Sequence, residues 1–219
     1  MTYRTPNERR AQWLTIYQLS AVLLIAFVLV SLLDFVLLHA LTTVNPDNGR
    51  VDRSFEGEDW YRLLRIIGFI GTWIVVSIAL VLQDRDFKRA IPMILAPVLS
   101  GAAAELLKLV FSRERPVSDA IIQEGGYHFR FPFSGFIDGH NLGLPSSHAA
   151  VAFGGACMLG YFLPKLRPLL ILLAIGCAYS RLMTGAHFAS DVFLGAIIGW
   201  GIAKFFASGL PRPDRKFTL

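Results

Sequence analysis

AQWLTIYQLSAVLLIAFVLVSLL, residues 11–33, contains no charged side chain. About 20 apolar residues carry a helix across the hydrocarbon core of a bilayer. Arg9 and Arg10 stand directly before the run, where a basic pair can also open a secretion signal or mimic a twin-arginine signal. The apolar stretch is too long for the hydrophobic region of such a signal, and no small-residue cleavage site follows it. It reads as a retained first transmembrane helix.

Five further apolar stretches follow. Spans are expected at about residues 13–41, 61–82, 89–110, 146–163, 169–186 and 189–208. The fold class is therefore all-α, a six-transmembrane helix bundle forming one domain over residues 1–219. Composition agrees, with 54% hydrophobic residues and a mean hydropathy of +0.51, against roughly 45–50% apolar residues in soluble domains. Trp13 and Trp60 fall where interfacial aromatic belts are expected. Cys157 and Cys177 both lie inside expected spans and read as small apolar fillers rather than a disulfide.

The net charge of +5 would suggest a nucleic-acid partner in a soluble protein. Here the basic residues sit at the ends of apolar segments and inside short motifs, with no basic arm, so topology and anion binding explain them better. Lysine and arginine favour the side that holds both termini, including Arg9, Arg10, Lys88, Arg89, Lys165, Arg167 and Lys204. Both termini are therefore expected in the cytoplasm. Two loops would then face outward. Residues 42–59 are polar and acidic, suited to lying along the membrane surface. Residues 111–144 include Phe129-Arg130-Phe131-Pro132-Phe133 and suit a lid, a lipid-facing lip or an interfacial aromatic loop.

Three motifs interrupt the apolar pattern: Lys108 to Pro116, Pro145-Ser146-Ser147-His148, and Ser180-Arg181 through His187 to Asp191. Ionisable groups near a bilayer are costly and usually mark a site. With the orientation above, Lys108 ends the third span and His148 begins the fourth. Arg181 lies in the outer part of the fifth, and Asp191 in the first turn of the sixth. All motif residues thus converge at one depth and one face. Three cations suggest an anion, and two histidines with a carboxylate suggest proton transfer or nucleophilic attack. A phosphate ester satisfies both.

Phosphoryl transfer chiefly needs positioning and charge stabilisation. Arg115 and Arg181 can each grip two oxygens, while Lys108 supplies a point charge. The seven-residue step from Lys108 to Arg115 places both on one face if the helix continues, before Pro116 redirects the chain. Ser146 and Ser147 open a helix, where unpaired N–H groups make an anion site; such serines are also ordinary caps. His187 and Asp191 are four apart, so their side chains can meet. A carboxylate on one ring nitrogen aims the other at an electrophile. Histidine is an accepted covalent nucleophile, and His148 can protonate the departing alkoxide. Glu105, three before Lys108, is expected to pair with it or with another cation. His39, His128 and His140 have no partners in frame and read as structural or interfacial. No His-Glu-x-x-His or cysteine pair is present, and His187 with Asp191 alone makes a poor ligand set. Neither a metal nor a cofactor is expected.

These residues resemble the signature of the type 2 phosphatidic acid phosphatase superfamily: Lys-x6-Arg-Pro, Pro-Ser-Gly-His and Ser-Arg-x5-His-x3-Asp. The first and third elements match at full spacing; in the second, Ser147 stands where the pattern has Gly. If that position needs only small size, Ser is tolerable, whereas a positive φ there would strain it. The resemblance implies a six-helix lipid phosphatase acting at the outer membrane face without a metal. It implies His187 as a nucleophile forming a phosphohistidine, Asp191 as its orienting partner and His148 as general acid. Lys108, Arg115, Ser146 and Arg181 would bind phosphate with nearby backbone amides, Ser147 among them.

The expected activity is hydrolysis of a lipid phosphate or diphosphate, of the phosphatidate, phosphatidylglycerophosphate, polyprenyl diphosphate or lipid A class. The expected setting is a bacterial inner membrane with the site facing the periplasm. The partners are the lipid substrate and membrane lipids. A lipid phosphotransferase would use the same intermediate, a vanadate-dependent haloperoxidase shares the pocket but not six spans, and a lipid scaffold or transporter would not need both histidines and Asp191.

Overall fold

The computed structural model describes residues 6–45, 51–84, 87–116, 126–136 and 141–210, the side chains of 6–12 and 84 excepted. Eight α-helices run through them: α1 (Pro6–Leu32), α2 (Asp34–Leu41), α3 (Asp59–Ile66), α4 (Ile70–Asp84), α5 (Phe87–Phe111), α6 (Ser147–Phe162), α7 (Arg167–Met183) and α8 (Ala189–Ser208). Among the described residues there are no strands, only isolated antiparallel bridges.

The first two expected spans are each broken. The 13–41 span breaks at Leu33, and the residue that restarts the helix, Asp34, is fully buried. The 61–82 span breaks into α3 and α4, bent by 66°. Gly68 sits in that break because a Cβ there would lie 2.9 Å from the His148 carbonyl oxygen. Carbonyls freed by the bend are caught by side chains, as helix ends require: Trp73 Nε1 donates to Ile67 O at 2.9 Å and Thr72 Oγ1 to Ile66 O at 2.6 Å.

Four helices are long and apolar enough to cross a membrane, Trp13–Leu32, Phe87–Phe111, Pro164–Met183 and Ala189–Ser208, or five if the bent α3–α4 pair counts as one. The expected fourth span, α6, has only 16 residues, about 24 Å at 1.5 Å per residue. Its position explains why it differs. α6 is the central helix, packed against α5, α7 and α8, and its small residues let the neighbours close in. A Cβ on Gly199 of α8 would lie 2.4 Å from Ala150 O, and one on Gly155 of α6 would lie 2.1 Å from the Trp73 ring. α1 is the opposite case, with no buried side chain from 13 to 32. The terminal segments 1–5 and 211–219 lie outside the described residues.

Candidate active site

The polar residues gather at one end of the bundle, around the start of α6. Leu144-Pro145 is a cis peptide. Ser146 caps α6 with an extended backbone (φ −74°, ψ 113°), and its N–H donates to the Asp191 carbonyl at 2.9 Å. Ser147 is the first helical residue and is not among the positive-φ residues, which are Ser112 and Phe133 among non-glycines. The position therefore asks for small size, not for a left-handed backbone, and Ser replaces Gly there without strain. Its Oγ accepts a hydrogen bond from Lys108 Nζ at 2.9 Å.

Lys108 sits in the last turn of α5, 5% exposed, and also pairs with Glu105 at 2.7 Å. That pairing matches the three-residue spacing. Arg115 corrects the shared-face expectation, because α5 stops at Phe111. Ser112 turns the chain through φ +48°, and the next residues run extended, with Arg113 bridged to Phe129 and Glu114 to Leu142. Arg115 reaches the site from this loop instead, its Nε donating to Leu142 O at 3.2 Å. It lies within electrostatic reach of Lys108, Asp191 and His187.

Arg181, in the last turn of α7, is 7% exposed. Its Nη1 lies 3.5 Å from the buried Tyr61 hydroxyl, and its Nε has no hydrogen-bond partner. Ser146 Oγ is likewise buried without a partner. Buried donors are seldom left orphaned, and where they are, a missing partner is the usual reason. His148, the second residue of α6, lies within electrostatic reach of both Arg181 and His187.

His187 precedes α8 rather than lying on it, because Phe188 is the N-cap. Its ring still faces Asp191, with Nδ1 3.5 Å from Oδ2, too far for a full hydrogen bond; such catalytic contacts often tighten only when substrate binds. Burial pushes His187 down to about 4; Asp191 opposes that shift, and Arg181 and Arg115 reinforce it. The imidazole is therefore neutral at pH 7.

Two site residues escaped the sequence reading: Arg113 and Asp34. Arg113, 3% exposed, pairs through Nη2 with Asp191 Oδ1 and Ser190 Oγ, and through Nη1 with Asp34 Oδ2 at 3.7 Å. Asp34 also accepts from the Ser190 N–H at 2.8 Å, the Ser190 hydroxyl and the Tyr127 hydroxyl at 2.9 Å. A lone carboxylate in the apolar run 31–41 was the available signal. Gly143 closes over this cluster, since a Cβ there would stand 3.1 Å from Asp191 Oδ2.

Of the remaining histidines, His39 and His128 are exposed, and His140 lies outside the described residues. Cys157 and Cys177 are free thiols. Among the described residues, no three His, Cys, Asp or Glu side chains stand together as metal ligands. In the 111–144 loop, residues 117–125 and 137–140 fall outside the description, but Phe129, Phe131, Phe133 and Phe136 are all exposed. The 42–59 loop, where described, docks on the end of α7 through Thr42 Oγ1, which donates to Leu182 O at 3.2 Å.

Fold and site together define a helical protein, rich in membrane-length segments, with a cationic pocket around a histidine–aspartate pair. A family model of the PAP2 superfamily matches residues 89–214, more than half of the chain, and the chain belongs to that superfamily. It is similar to a lipid A 1-phosphatase of Rhizobium etli, 36% identical over 104 residues, covering 47% of this chain and 43% of the relative. It is also similar to a lipid A 1-phosphatase of Rhizobium johnstonii, 34% identical over 122 residues, covering 56% and 48%. The chain thus spans less than half the length of these relatives in the matched region. No solved structure matches.

Proposed function

We propose that the protein hydrolyses a lipid phosphate or diphosphate at the outer face of a bacterial inner membrane, with six crossings and both termini in the cytoplasm. The observation that carries this reading is the pair of orphaned buried donors, Arg181 Nε and Ser146 Oγ, beside the neutral His187. Lys108, Arg115 and Arg181 would hold the phosphoryl oxygens together with Ser146, Ser147 and the amides at the start of α6. Their charges would stabilise those oxygens through the transition state.

Asp191 would keep the His187 proton on Nδ1, leaving Nε2 as nucleophile. Nε2 forms a bond to phosphorus as the ester P–O bond breaks, and His148, protonated once the phosphate anion binds beside it, gives that proton to the departing oxygen. Water then attacks the phosphohistidine. His148 takes a proton from that water, the P–N bond breaks, and inorganic phosphate leaves. Each step draws only on these side chains and water, so no metal is required. The short α6 is compatible with six crossings because protein surrounds it and lipid does not. The lipid A 1-phosphatase relatives put lipid A first in the substrate panel.

His187→Ala in the purified protein should lower phosphate release from detergent-dispersed lipid phosphates by roughly 10⁴-fold or more. Wild-type-like turnover in that variant would falsify the nucleophile assignment. Adding lipid acceptors and tracing the phosphate separates hydrolysis from transfer.

A further inference from the structure

Nothing in the proposed phosphoryl transfer uses Arg113, the most deeply buried cation of the cluster. It cannot serve as a phosphate ligand. Its terminal nitrogens are turned to Asp34, Ser190 and Asp191, and its guanidinium lies against both the Tyr127 ring at 4.8 Å and the Phe188 ring at 5.1 Å. Asp34 is equally committed. It accepts the Ser190 N–H and meets the Ser190 and Tyr127 hydroxyls.

Two contacts show what this arrangement does. Arg113 occupies Asp191 Oδ1, while Oδ2 accepts the Phe188 N–H at 2.8 Å and faces His187 Nδ1. Asp34 grips Ser190, the residue directly before Asp191, and so fixes the first turn of α8. The carboxylate is held at both oxygens and at its backbone.

We infer that Asp34 and Arg113, supported by Ser190 and Tyr127, are positioning residues that hold the Asp191 carboxylate turned toward His187 Nδ1. This inference rests on the proposed function. The Asp191 carboxylate so held carries a negative charge. That charge faces the imidazole as it becomes a phosphorylated, positively charged ring. Partners behind a functional side chain set its orientation, and losing them typically costs about 10–100-fold in activity.

The test uses the full-length protein in detergent, with kcat, KM and phosphoenzyme trapped under alkaline quench. The variants are D34N, S190A, R113Q and R113K, with H187A as reference. D34N and R113Q should lower kcat by roughly 10–100-fold, with KM within about threefold because every proposed phosphate ligand remains. S190A should lose several-fold, and R113K should recover part of what R113Q loses. A merely structural brace would lower the thermal midpoint and leave kcat and phosphoenzyme level unchanged in D34N and S190A; that result overturns the inference. Should R113Q not fold, D34N and S190A still decide it, since each removes only part of the cluster. Full activity in H187A would instead remove the proposed function itself, a distinct outcome.

Discussion

Arg113 and Arg181 are almost equally buried, at 3% and 7% exposure, yet their surroundings differ completely. Arg113 meets two carboxylates, a serine hydroxyl and two aromatic faces. Arg181 has the Tyr61 hydroxyl at 3.5 Å and, among the described residues, no carboxylate in salt-bridge range; the Nε of both arginines is buried without a partner. Burying a cation is costly unless a counter-charge is supplied. The protein supplies one to Arg113 and, among the described residues, none to Arg181; on the proposed function the substrate phosphate would supply it. On that reading one arginine belongs to the frame and the other to the phosphate site.

The sharpest way to break that comparison is to remove each side chain and measure stability and activity together. Arg113→Ala strands two buried carboxylates and should destabilise the protein by about 3–5 kcal/mol. Arg181→Gln strands nothing of opposite charge, so its thermal midpoint should stay at or above that of the wild type. Its kcat/KM should nevertheless fall by roughly 10²–10³-fold, the usual cost of losing a donor to developing oxyanion charge. Inorganic phosphate should raise the midpoint of wild-type protein by mass action and fail to do so in Arg181→Gln. Equal destabilisation by the two substitutions would end the distinction.

A smaller effect follows from His187, held at about 4 chiefly by burial. An unfolded histidine titrates near 6.5, so between about 4 and 6.5 the unfolded chain binds the extra proton. Stability is then complete above about pH 6.5 and falls as pH drops toward 4, by at most ~1.4 kcal/mol per pH unit. His187→Gln should flatten that slope in thermal unfolding measured across pH. Saturating phosphate should shrink it as well, because an anion beside the ring favours the protonated form. An unchanged slope in the variant would show that another group carries the acid response.

What the sequence could and could not show divides along the same line. Lys108, Arg115, Ser146, His148, Arg181, His187 and Asp191 could be picked out because each sits in a short motif of fixed spacing. Their frame was not. Asp34 stands 156 residues from Ser190 in the chain, and Arg113 stands 78 from Asp191; no local period links such pairs. Helix positions were readable from apolar runs. The breaks at Leu33 and at residues 67–69 were not, since apolar residues continue through both. What breaks them is tertiary: Asp34 turned inward to the frame, and Gly68 pressed against the α6 backbone. The length of α6 followed from its central place rather than from hydropathy.

The phenylalanines extend the comparison to uncharged residues and carry the smallest expected effect. Phe188, 1% exposed, lies against Arg113 and belongs to the frame. Phe131, 84% exposed, stands in the same loop as the exposed Phe129, Phe133 and Phe136. Exposed aromatics at that level fit the interface between lipid and water. Phe131→Ser should therefore leave folding and turnover of a short-chain, water-soluble phosphate ester unchanged. Against a long-chain lipid phosphate in vesicles it should raise KM by roughly 3–10-fold, since about 1.5–3 kcal/mol of apolar burial can be lost and only part of it is realised at an interface. A matched loss on both substrates would place Phe131 in the frame with Phe188, and the side chain would then be acting on the chemistry rather than on access to it.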